Sequence, residues 1–159
     1  MPRHPRCRDR GRQCDRPDDA TCTLDGTYVQ GNVTVKSRAT LVATGIELTG
    51  TVQGESPKKV EVRGSQVGNG FSISRGGELG SIVLADTAVT GDVQLADNRG
   101  SVELDNNSVG GSVQANKNIG GVTVTANRIV NGLQCQDNNP FPVGGGNIAA
   151  QKQGQCERL

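Results

Sequence analysis

The side chains able to do chemistry here are few in kind: five cysteines, one histidine, dispersed acids and many regularly spaced amides. Cys135 and Cys156 offer a disulfide, while Cys7, Cys14 and Cys22, joined by His4, offer soft metal ligands. The spacing of those four matches no compact zinc site, so tail thiols are the plainer reading; a Cys14–Cys22 bond would leave Cys7 odd. Glu61 and Glu103 are the carboxylates whose separation bears on acid–base work, with Asp92 and Asp97 elsewhere. Asn98, Asn118 and Asn138 recur every 20 residues, as do Asn107, Asn127 and Asn147. Gln94, Gln114 and Gln134 keep the same step, joined lower down by Gln53. What these groups can do depends on the elements that carry them.

Those elements repeat. Segments of the form Gly-x-Val-x-Val or close variants recur at Gly31–Val35, Gly50–Gln53, Gly91–Leu95, Gly111–Ala115 and Gly132–Cys135, with Gly70–Ile73 as a departure. Their central apolar residues fall at 33, 52, 71, 93, 113 and 133, in steps of 19, 19, 22, 20 and 20. A second family, Cys22/Leu24, Leu41/Ala43, Val60/Val62, Ile82/Leu84, Val102/Leu104 and Val122/Val124, keeps the same steps. So does a third: Val29, Leu48, Val67, Val89, Val109 and Ile129. Apolar-polar-apolar alternation marks strands with one buried face, and Gly with Asn/Asp clusters marks the turns between them.

The chain therefore reads as all-β: a single parallel β-helix (solenoid) of about 20 residues and three short strands per coil. A right-handed coil is expected, because the left-handed kind follows a stricter hexapeptide pattern. Six such coils, stacked ~4.8 Å apart, rise roughly 29 Å. No coil buries enough to stand alone, so stability grows with stacking. In this register the two asparagine columns become turn ladders: Asn tolerates left-handed geometry, and stacked amides hydrogen-bond up the rod. The longest coil carries a two-residue expansion near Arg75-Gly76-Gly77-Glu78.

Bulk composition agrees. Apolar residues are 33% and aromatics 2% of 159 residues, too little for an ordinary core, while 23 glycines and many valines suit thin, regular coils. A net charge of +1 provides no field for nucleic acid or acidic membranes, and no apolar run is long enough to span a bilayer.

The two ends differ. Residues 1–20 hold six Arg, four Asp and three Pro without apolar periodicity and read as a disordered tail, so the solenoid domain is 21–159. Cys135 and Cys156 lie 21 residues apart, one coil, a spacing that predicts equivalent positions on adjacent rungs and a disulfide between them. That bond would clamp an irregular cap, 136–159, where Asn139-Pro140-Phe141-Pro142 and Gly144-Gly145-Gly146 break the ladder. A disulfide argues for an oxidising compartment, extracellular or the cell envelope. Residues 1–20 lack the apolar centre of an export signal, so the expectation is either a protein that stays inside the cell or a true start upstream of Met1, and the disulfide favours the second.

The segments Asn131–Cys135, Asn139–Pro142, Gly145–Asn147 and Gly154–Cys156 resemble those of a loosely defined set of short bacterial repeat proteins, mostly presumed secreted and without assigned function. That resemblance implies a solenoid with a closing disulfide and an export signal. More weakly, the Gly-x-Val coils look like bactofilins, whose right-handed β-helices polymerise end to end; that likeness implies self-association through the ends.

Enzyme chemistry finds little support. Solenoid acyltransferases use a catalytic His, and the one His here is His4. Glu61 and Glu103 lie two coils apart with Val83 between, roughly 10 Å. Inverting glycosidases use carboxylates ~6.5–9.5 Å apart, but without a cleft to raise a pKa these read as solvated wall charges. Nucleic acid lacks both charge and stacking rings, since only Tyr28, Phe71 and Phe141 are aromatic. The column Thr34, Gln53, Ser72, Gln94 is not the threonine array of an ice binder. The expectation is a non-catalytic structural or surface module needing no cofactor or metal. Its alternative is a glycan-binding adhesin whose ligand wall is Gln53, Gln94, Gln114 and Gln134.

Overall fold

The computed structural model describes residues 21–77 and 80–159, none of them helical. The first coil comprises β1 (Thr21–Asp25), β2 (Tyr28–Val29) and β3 (Val33–Val35); the second, β4 (Thr40–Thr44), β5 (Glu47–Leu48) and β6 (Val52–Glu55). The third holds β7 (Lys59–Arg63), β8 (Gln66–Val67) and β9 (Phe71–Ser74), and the fourth β10 (Ser81–Ala85), β11 (Ala88–Val89) and β12 (Val93–Ala96). In the fifth are β13 (Ser101–Asp105), β14 (Ser108–Val109) and β15 (Val113–Asn116). The sixth has β16 (Val122–Thr125) and one long strand, β17 (Arg128–Gln136), running along two sides; β18 (Val143–Gly145) and β19 (Ile148–Gly154) repeat that plan.

Stacking these about seven turns gives a β-solenoid. The first strands of the coils make a seven-stranded wall, and the second and third walls form one 12-stranded sheet joined through β17. Every pairing is parallel, and the register runs Val33, Val52, Phe71, Val93, Val113, Leu133 up the third wall. The expected columns are thus the physical ones. The two-residue expansion sits between Gly76, which bonds to Asn98 22 residues on, and Ser81, which pairs with Ser101. Glu78 of that expansion lies outside the described residues, as do His4, Cys7, Cys14 and the whole 1–20 tail.

Alternation fixes which face is buried. β1 and β13 read exposed-buried in strict order, and the inward residues close a single core from Cys22 to Cys156. Phe71, the largest of them, is fully enclosed. Room for bulk on one rung comes from its absence on the next. In the column Val35, Gly54, Ile73, a Cβ on Gly54 would stand 3.0 Å from the Ile73 side chain. Before the first wall the rungs approach more closely still, and a Cβ at Gly120 would overlap the carbonyl oxygens of Arg99 and Gly100. Thin coils of small residues are the condition for this packing.

Two findings differ from the sequence reading. The ladder does not end at residue 136: Gly144 and Gly145 pair with Val124 and Thr125, and β19 pairs with β17, so residues 143–154 add a further rung. The Asn139–Pro142 stretch lies outside the strands, with a cis Asn139–Pro140 peptide. Second, the ladder asparagines are not the left-handed residues. That conformation falls one position earlier, on Gly26, Gly45, Gly64, Asp86, Asn106, Ala126 and Gly146 at one corner. At the other it falls on Arg38, Ser56, Arg75, Asp97, Lys117 and Asp137. At most of these corners the turn points the next side chain inward; after Arg75 it is the Gly76 N–H that meets Asn98.

Left-handed φ costs a non-glycine residue ~1–2 kcal/mol. Ala126 (φ 55°) has no side-chain polar group to offset this. Ala126→Gly is therefore expected to stabilise the rod by about 1 kcal/mol in urea unfolding, after the loss to unfolded-chain entropy. A destabilised variant would contradict this account of the corners.

Candidate functional site

The corner asparagines are buried and fully engaged. Asn118 donates from Nδ2 to the Leu95 carbonyl (3.0 Å) and to Asn138 Oδ1 (3.0 Å). Its own Oδ1 accepts the backbone N–H and the Nδ2–H of Asn98 at 3.1 and 2.9 Å. Asn98 continues downward, its Oδ1 accepting the Gly76 N–H. Each amide thus ties its coil to both neighbours. Upward, the place of a further asparagine is taken by Gln155, whose Oε1 accepts from Asn138 N and Nδ2 while its Nε2 donates to the Asn138 carbonyl.

The second ladder is built alike. Asn147 accepts from Asn127, and Asn127 from Asn107, through both backbone N–H and Nδ2. Below Asn107 the column changes chemistry. Thr87 N donates to Asn107 Oδ1, Ser65 N to Thr87 Oγ1, and Ile46 N to Ser65 Oγ. Hydroxyls replace amides in the lower coils, and Ile46 ends the polar run. These residues were missed in the sequence although Thr27, Ile46, Ser65, Thr87 and Asn107 keep the same steps of 19, 19, 22 and 20.

At the C-terminal end, Cys135 and Cys156 are joined with Cα atoms 5.3 Å apart, both fully buried. They are not register equivalents, however. Cys135 pairs with Gly154, and Cys156 lies two residues beyond, past the end of β19. A shorter last coil moves the cysteine from the strand into the closing turn. Three further features finish this end. Lys152 takes the register position above Leu133, Gln155 ends the amide ladder, and Leu159 packs against the core.

The glutamine column stands on the outer face of the third wall. Thr34, Gln53, Ser72, Gln94, Gln114 and Gln134 are register neighbours in that order, and Gln153 extends the column by one rung. Among the described residues no hydrogen bond joins Gln94, Gln114 and Gln134 to one another; the one wall bond is Gln153 Nε2 to Gln151 Oε1, 3.2 Å. Over the last coils the wall dips into a recess of about 460 Å³ lined by Ser112, Gln114, Asn131, Gln134, Gln151 and Gln153. A hollow of about 360 Å³ beside it is lined by Gln136, Asp137, Phe141, Gly154 and Gln155. Asn116, beneath Gln136, holds the one buried side-chain polar atom lacking a partner among the described residues.

The carboxylates fall elsewhere. Val42, Glu61, Val83 and Glu103 follow one another up the first wall, so Glu61 and Glu103 are indeed separated by a rung. Arg63 (2.6 Å) and Lys59 (3.2 Å) pair with Glu61 and hold its carboxyl below the usual range. A general acid working near neutrality needs the opposite shift. Among the described residues no three His, Cys, Asp or Glu side chains group as metal ligands. Nor is any described helix long and apolar enough to cross a membrane.

No family model matches this chain, nor does any curated protein or solved structure. The functional reading therefore rests on the geometry.

Truncating a ladder amide tests that geometry. Asn118→Ala strands the Asn98 N–H and one Asn98 Nδ2–H in the core, for a loss of about 3 kcal/mol. Urea unfolding should show it, with the amide of Asn98 exchanging faster with deuterium; an unchanged midpoint would remove the ladder from the account of stability.

Proposed function

We propose that the chain is a non-catalytic structural or surface module, of the cell envelope or extracellular space, that works as a rigid rod presenting polar walls. The observation that carries this is the finish of the C-terminal end. A sheet edge left open recruits further strands, and inward-pointing charge is one of the ways edges are blunted. Here Lys152 tops an apolar column, Gln155 closes the amide ladder, and a buried disulfide holds both in place. The disulfide favours an oxidising location. The paired state of Glu61, held two rungs from Glu103 by the intervening Val83, speaks against acid–base chemistry on the first wall. An end built this way is a stop rather than a joint. Sedimentation and negative-stain imaging of the full chain over rising concentration should show discrete short particles; filaments would overturn the capped rod in favour of a polymer joined through its ends.

A second reading, a glycan-binding adhesin, is favoured by one specific observation. Gln94, Gln114 and Gln134 spend none of their hydrogen-bonding capacity on one another, and the recess takes Gln114 and Gln134 into its lining. Retardation of the full chain by a polysaccharide in affinity gels, lost in the double variant Gln94→Glu/Gln114→Glu, is the expected result. Retention of binding in that variant would remove the wall from the reading.

A further inference from the structure

The third wall changes character where the last coil falls one residue short. Ile129 pairs with Ala149 and Gly132 with Gln151, so Val130 and Asn131 of β17 stand opposite Ala150 alone. Two residues against one is a β-bulge, a feature that re-aims side chains and gathers beside binding sites. The 460 Å³ recess lies at this bulge and draws its lining from both of its sides. From Gly132 the outward face of β17 continues through Gln134 to Gln136, which borders the second hollow and Phe141. Gly132 to Gln136 spans ~13 Å along a strand.

We propose that this strip, from the bulge to Phe141, binds a short run of uncharged sugars lying along the β17 and β19 strands, across the rod axis. The inference rests on the glycan reading above and gives it a place, a direction and a ligand class. Three observations carry it. No charged side chain lines the recess, and Asp137 alone does so in the adjoining hollow, which disfavours acidic polysaccharides. Amides and hydroxyls both donate and accept, as sugar hydroxyls do, and those of Gln114 and Gln134 are not spent on each other. Phe141 is 72% exposed, more than any other large hydrophobic side chain described. Its ring offers the apolar C–H face of a pyranose the flat surface that the rest of the wall lacks.

The test is affinity electrophoresis of the full chain through gels holding a neutral polysaccharide (soluble β-glucan, mannan or xylan) or alginate. Binding to a neutral polysaccharide is expected, weakened about tenfold (~1.4 kcal/mol) by Phe141→Ala, through the lost ring face, and by Gln151→Ala, through the lost amide. Both side chains are exposed, so the variants should keep the parent circular dichroism spectrum and midpoint. Loss of binding in Gln94→Glu/Gln114→Glu with none in Phe141→Ala or Gln151→Ala would overturn the strip while leaving the wall reading standing. Retardation by alginate alone would overturn the uncharged ligand. Retardation by nothing would overturn both the strip and the adhesin reading.

Discussion

An asparagine amide inside this rod finds its partners on the rung above or below. The solenoid is too thin for a second layer, and water does not reach Asn98 or Asn118, which are fully buried. Each inward amide must therefore be answered at the same corner of the next coil, at the strand spacing of ~4.8 Å. Once Asn138, Asn118 and Asn98 are in line, every strand between them is held in register. The left-handed residues that precede them, Asp137, Lys117 and Asp97, follow from that need, since the corner must turn for the amide to face inward.

The same rule explains how the rod is finished. A ladder that simply stopped would leave Asn138 with two unanswered donors. Gln155 supplies the missing carbonyl from a closing turn rather than from another coil, its longer side chain making up the changed backbone path. The disulfide sits directly beside it, between Cys135 in the strand and Cys156 in the turn. At the lower coils the answer is cheaper in atoms: Thr87 and Ser65 each turn one hydroxyl between a neighbouring carbonyl and a neighbouring N–H.

Amides thus divide into two populations with opposite fates. Those pointing in are consumed by the structure, most of them bonded to the coils on both sides and Asn147 to the coil below it. Those pointing out along Gln94, Gln114 and Gln134 make no hydrogen bond to one another. The same carboxamide group is buried at the corners, where a left-handed residue turns it inward, and faces outward on the third wall, where strand alternation decides its side. The bulge between Ile129 and Gly132 is what turns an even outer wall into a shaped one.

The coil, the three strand families, the columns and both asparagine ladders were legible in the sequence, because a rung repeat projects register directly onto residue number. Column membership needs only addition, and Ser65 and Thr87 could have been found by it. Other features were hidden for a physical reason: each arises where the repeat is interrupted. Counting 21 residues puts Cys156 above Cys135, but the shortened last coil gives that position to Gly154. Glycine-rich 143–146 reads as a break, yet backbone pairing with Val124 and Thr125 makes part of it a strand. Gln155 and Phe141 belong to no column and come into position only when the chain closes over its own end. Periodic sequence determined the rod, since strand spacing leaves each coil no choice of partner. Tertiary structure decided its closed end and the recess at the bulge, because there the chain departs from its period and local packing sets the geometry.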